Sequence, residues 1–114
     1  MLIHKTGNSH SQILKSFLTK QALMSTIPID LDTIDQEDLD REILRLSIIA
    51  ELDAVNLYEQ MANKTSNSAL KTILLDVAKE EKTHVGEFQA LLEKIDKEHS
   101  RELDKGEKEV EEKI

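Results

Sequence analysis

Glu81 and His84 stand three residues apart in the segment LLDVAKEEKTHVGEFQALL, Leu74 to Leu92. On a helix that spacing points both side chains the same way, about one turn apart. A carboxylate and an imidazole so arranged suit a divalent transition metal. Glu51 lies upstream in IIAELDAVNLYEQMA, Ile48 to Ala62, and Tyr58 follows it on the same helical face. A carboxylate in a dry helical seam is costly unless it is paired, protonated or bound to a metal. Glu51, Glu81 and His84 are therefore candidate metal ligands. Tyr58 is a candidate neighbour: a hydrogen-bond donor to a ligand, a redox-active group, or a core tyrosine whose hydroxyl takes any polar partner.

Two long helices must carry these residues. Alternating steps of four and three trace a seam through Leu44, Ile48, Glu51, Val55, Tyr58 and Ala62. A second seam runs through Leu70, Leu74, Val77, Glu81, His84, Phe88, Leu91 and Ile95. Both are heptad seams of the kind helix bundles use, and both are apolar except near their middles. The first helix is expected to start near Asp35, an acceptable N-cap with acids in its first turn, and to run to about Asn63. Asn63 to Ser68 (NKTSNS) is the one good turn signal mid-chain. The second helix is expected from about Ser68 to about Glu98. Each then has roughly 28–30 residues, or roughly 42–45 Å. Two such helices on a short turn make an antiparallel hairpin. This sets the domain reading: 1–34 an N-terminal extension, partly flexible; 35–100 the helical hairpin; 101–114 a charged C-terminal tail or linker.

A count of ligands leads to a second copy. Di-iron carboxylate bundles take one Glu from each of two helices and a Glu-x-x-His pair from each of two more. This chain has half that set and only two long helices. A two-helix hairpin also buries only one face. Two copies about a two-fold axis complete both the ligands and the core. The expected architecture is thus all-α: an antiparallel hairpin that dimerises into a four-helix bundle, with the site at the subunit interface.

Composition narrows the remaining classes. The chain has 114 residues with 15 Lys+Arg against 23 Asp+Glu, a net charge of −8, which disfavours nucleic acid and anionic membrane surfaces. With no Cys, a disulfide framework, a thiolate zinc site, an iron–sulfur cluster and a Cys nucleophile are excluded. Three Gly and one Pro give too few turns for an all-β fold. No apolar run approaches the roughly 20 residues of a membrane span.

The segments Ile48–Ala62 and Leu74–Leu92 resemble the encapsulated ferritins, two-helix ferritin-like proteins housed in encapsulin nanocompartments. The resemblance covers roughly residues 38–98. It implies a ferroxidase that oxidises Fe(II) with dioxygen and passes Fe(III) on for storage in the shell. The family's iron ligands fall on Glu51, Glu81 and His84, and its site tyrosine on Tyr58. The implied cofactor is a di-iron centre at a homodimer interface, with dimers assembled into an open, ring-like decamer. The implied location is cytoplasmic, inside an encapsulin compartment. The sequence departs from the pattern in three places. Some members carry a secondary site of two neighbouring acids, and here those positions are Ala50 and Asp53, so Ala50 offers no ligand. The Lys/Glu-rich tail is not the Gly/Leu-rich docking peptide of encapsulin cargo; a truncated fusion to the shell protein would account for its absence. The long extension has no family counterpart.

Other features carry weaker expectations. The extension holds one amphipathic patch of Ile13, Leu14, Phe17, Leu18, Ala22 and Leu23, lacks a signal peptide's apolar stretch, and offers Met24 as an alternative start. His4 and His10 lie in a polar stretch and read as exposed. Asp96 and His99 share the Asp-x-x-His spacing, but among many charges they read as a solvated face. Gly86 either allows close helix approach near the site or is neutral. The tail reads as a solvated helix end or disorder. A second function is a helical assembly or cargo-adaptor module whose metal, zinc or manganese, is structural. A peroxidase of rubrerythrin type stands behind both, because without Cys there is no rubredoxin-like electron donor.

Overall fold

The computed structural model describes residues 30–114. The expectations for the amphipathic patch, His4, His10 and Met24 lie outside the described residues. A short 3-10 turn, Leu31–Thr33, leads into three helices: α1 (Gln36–Lys64), α2 (Ser68–Ile95) and α3 (Lys97–Lys113). The described residues contain no strand. None of their helices is long and apolar enough to cross a membrane.

The hairpin follows from its caps. Asp35, in extended conformation, precedes α1 as expected, although its side chain makes no capping hydrogen bond. Its carbonyl instead accepts from the Asp38 amide at 2.9 Å. One turn later Arg41 pairs with Asp38. At the far end the Thr65 amide closes on the Met61 carbonyl at 3.1 Å. The turn is built from side chains. Asn67 donates its amide to Thr65 Oγ1 at 3.1 Å, and its own Oδ1 accepts from the Leu70 amide at 2.9 Å, capping α2. Three residues therefore reverse the chain, and α1 packs along α2.

The second helix ends earlier than its pattern suggests. Asp96, at φ −124° and ψ 93°, closes α2 and opens α3. Its amide donates to the Leu92 carbonyl at 2.8 Å, while its Oδ1 accepts from the His99 amide at 3.0 Å. Its Oδ2 faces Arg45 of α1 at 3.4 Å. The Asp96–His99 spacing is thus a helix cap, and Asp96 is buried rather than part of a solvated face. The tail beyond it is one continuous helix, and from Arg101 onward every residue is exposed.

The hairpin buries little. Val55, Ala62, Ala78 and Leu92 are its buried apolar side chains. On α1 the expected seam holds, with every position buried or half-buried. On α2 it does not: Leu70, Leu91 and Ile95 are exposed, whereas Ala78 and Leu92 are buried. The row that meets α1 is Leu74, Ala78, Glu81, Val85, Phe88 and Leu92. Ile73, Leu91 and Ile95 belong to a second row, about a quarter turn round α2 from that contact. A helix with neighbours on two sides needs an apolar arc wider than one seam, and a single heptad trace straddles it. The outer row leaves large apolar side chains in water, as expected of a surface that receives a partner.

Candidate metal centre

Glu51 sits mid-way along α1, and Glu81 and His84 lie mid-way along α2. The turn geometry sets these levels side by side. His84 Nδ1 lies 3.5 Å from Glu51 Oε2 and 3.5 Å from Glu81 Oε1. One ligand atom from each residue can be chosen so that all three lie within 4.8 Å of one another. Among the described residues this is the one such group of His and acidic side chains. The carboxylates are mostly enclosed, with side chains 20% and 19% exposed, whereas His84 is 45% exposed. The group is therefore walled by the hairpin on one side and open on the other.

Its electrostatics favour a cation. Glu51 Oε2 is buried without a hydrogen-bond partner. A contact of 3.5 Å to the imidazole is too long to serve as one. The Glu81 carboxyl titrates above its ordinary value, first because of a side-chain hydrogen bond to Glu51. Burial and the Glu51 charge raise it further, and His84 acts in the opposite direction. Two carboxylates held this close resist joint ionisation, and a bound cation would remove that penalty. Two oxygens and one nitrogen suit a borderline divalent metal, and three ligands leave positions for water, substrate or another chain.

The remaining candidates fall around this group. Tyr58 is half-buried on the same face of α1 and hydrogen-bonds to no described residue. Asp53 is buried, but two helical positions from Glu51 turn it by about 200°, so it does not join the three ligands. Gly86 is not demanded by packing, because a Cβ there would meet nothing within 4 Å. The sequence reading missed the Lys82–Glu59 ion pair, 3.1 Å long, which ties α2 to α1 from the residue that follows Glu81. Charged residues are too frequent here for that pair to stand out in sequence.

Comparison with known proteins decides the family. The family model described as Rubrerythrin matches residues 42–114. The chain belongs to the rubrerythrin family. Within this ferritin-like family, the resemblance to encapsulated ferritins holds. The chain is 53% identical to the crystal structure of the encapsulated ferritin domain from Pyrococcus furiosus, with a TM-score of 0.67, over 78% of this chain and 93% of that one. It is 62% identical over 71 residues to a ferritin-like–encapsulin shell fusion protein of Pyrococcus furiosus, covering 62% of this chain and 21% of that protein. It is 42% identical over 57 residues to an encapsulin nanocompartment cargo protein of Myxococcus xanthus, covering 50% of this chain and 44% of that protein. The chain thus spans less than half the length of either curated relative.

Proposed function

We propose that this rubrerythrin-family chain is a ferroxidase whose di-iron site is shared between two copies. The observation that carries the reading is the orphaned, buried Glu51 Oε2 facing Glu81 and His84 on the open side of the hairpin. One copy offers two carboxylates and one imidazole. Two copies about a two-fold axis offer the full di-iron set of four carboxylates and two imidazoles. The exposed apolar row of α2 supports the same arrangement, because pairing would cover Ile73 and Leu91 on either side of His84. We assign the three ligands to Glu51, Glu81 and His84, and a neighbouring role to Tyr58.

Iron is the substrate here, with dioxygen as the electron acceptor. The carboxylates bind and charge-neutralise Fe(II), and hard oxygen donors favour the ferric state over the ferrous. His84 completes the set from the exposed edge, where incoming ions arrive. A bound cation favours the ionised form of Glu81, opposing the upward push that Glu51 and burial give its titration. Tyr58 supplies a hydroxyl beside the site. The acidic surface raises the local concentration of cations. By analogy with its relatives, the chain works with an encapsulin shell, reached as cargo or by fusion, in cytoplasmic compartments. Ring-like assembly of dimers completes the proposal.

The test is native mass spectrometry of anaerobic protein with and without Fe(II), followed by oxygen consumption. Two irons per pair of chains, with turnover on admitting oxygen, are expected. Metal uptake without turnover would instead favour a structural site in an assembly module. No uptake would overturn the metal site itself.

A further inference from the structure

Two ion pairs tie α1 to α2 along one edge of the hairpin. Glu59 of α1 meets Lys82 of α2 at 3.1 Å, and Arg45 of α1 faces Asp96, at the end of α2, at 3.4 Å. The spacing is the same on both sides: Arg45 to Glu59 and Lys82 to Asp96 are each 14 residues. Fourteen residues are two heptads, about 21 Å, and return to within about 40° of the same side of a helix. His84 is two residues from Lys82, a rotation of about 200°, so the imidazole opens on the other edge. Along α1 the two pairs bracket Glu51, which stands six residues after Arg45 and eight before Glu59. On α2, Lys82 is flanked in sequence by Glu81 and His84.

Apolar packing is thin at this level. Of the four buried apolar side chains two are alanines, Ala62 and Ala78, which bury little area. The row between the helices instead carries Glu51 and Glu81, which repel each other when both are ionised. That push acts to part α1 from α2 where the ligands must meet. An attraction across the opposite edge opposes it, and Glu59–Lys82 and Arg45–Asp96 supply one. Lys82 and Glu59 are 60% and 45% exposed, so their pair adds little to global stability. It has a smaller task here, to hold two helices that are already in contact.

We propose that Lys82 is a positioning residue for the metal site. Its pair with Glu59, seconded by Arg45–Asp96, straps the closed edge of the hairpin and keeps Glu51 within reach of Glu81 and His84 before a metal arrives. The inference rests on the metal reading above. The sign of the effect separates a strap from a simple field. A lysine beside the site repels other cations, so by field alone the loss of its charge would tighten metal binding. The strap predicts the reverse. Without it the three ligands stand at binding distance less often, and apparent affinity scales with the competent fraction. An exposed ion pair is worth up to about fivefold in such an equilibrium, which bounds the loss.

The test is calorimetric titration of the full chain with Co(II) at pH 7.5 and fixed chain concentration, with far-ultraviolet dichroism showing that every variant is folded. Lys82→Met keeps the length of the side chain and should bind Co(II) about three- to fivefold more weakly than the unmodified chain. The reversed pair, Glu59→Lys with Lys82→Glu, remakes the strap and should restore at least the unmodified affinity. Restoration separates a strap from a general loss of packing, which reversal of the charges would not repair. Lys82→Met binding as tightly as the unmodified chain, or more tightly, would overturn the proposal, and so would a reversed pair as weak as Lys82→Met. An unmodified chain that takes up no Co(II) would remove the metal reading and this inference with it. Uptake that is indifferent to Lys82 would remove this inference alone.

Discussion

Replacing Glu51 by Gln should strengthen the metal-free protein while weakening metal binding. The substitution keeps shape and removes one charge from a pair of carboxylates whose ligand atoms lie within 4.8 Å of His84 and of each other. Two unit charges at that distance repel by about 3 kcal/mol at an effective dielectric of about 20, and by about 1 kcal/mol in water. Both side chains are about one-fifth exposed, and the variant also loses the 3.5 Å contact to His84. The net gain is therefore about 1 kcal/mol. Urea denaturation of the metal-free protein at pH 7.5, at fixed chain concentration, measures it as a raised midpoint at unchanged slope. The gain should shrink as the pH falls through the raised pKa of Glu81, since a protonated partner no longer repels. Divalent-metal affinity, measured in parallel, should fall by about 100-fold or more. A Glu51→Gln protein destabilised by more than about 1 kcal/mol without metal would refute the reasoning. It would mean that the carboxylate is satisfied by the fold rather than held for a cation.

Glu81→Ala and His84→Ala should each abolish rapid Fe(II) oxidation, followed by ferric absorbance, while far-ultraviolet dichroism stays unchanged; wild-type rates in either would remove the assignment. Asn67→Ala deletes the cap on the Leu70 amide and should cost about 1 kcal/mol in denaturation, with Asn67→Ser recovering most of it. Asp96 titrates below its ordinary 3.8, chiefly through the His99 amide, so its contribution is complete above pH 3.8 and fades as the pH falls through the lower folded value. Helical content should accordingly drop in that acid range, and Asp96→Ala should show the lower content already at neutral pH. Asp96→Asn, which keeps the cap but not the charge facing Arg45, should retain the neutral-pH helicity and lose the acid step.

The hairpin was legible because its signals are local. Asp35 marks the start of α1, and Asn67 and Ser68 mark the start of α2, as the turn chemistry of those residues requires. Glu51, Glu81 and His84 were legible for a different reason: charge in an apolar seam is rare enough to stand out. The break at Asp96 was not, because an aspartate among many charges carries little information until Arg45 and the His99 amide are seen around it. The α2 packing row was misplaced by one position, at Ala78 and Leu92, because the helix has two apolar sides and a single trace averages them.

The shared residue between α2 and α3 has a consequence for anything attached at the C-terminus. A flexible connector would decouple a passenger from the ferritin-like body. Here Asp96 ends one helix and begins the next with no residue between, so α3 is an arm about 25 Å long whose heading is set by the backbone angles of one capped residue. A group joined at Ile114 is therefore held in phase with the site. Lengthening α3 by one residue would swing that group by about 100° and advance it by about 1.5 Å. Orientation in such a protein is counted in residues, as the teeth of a gear are counted.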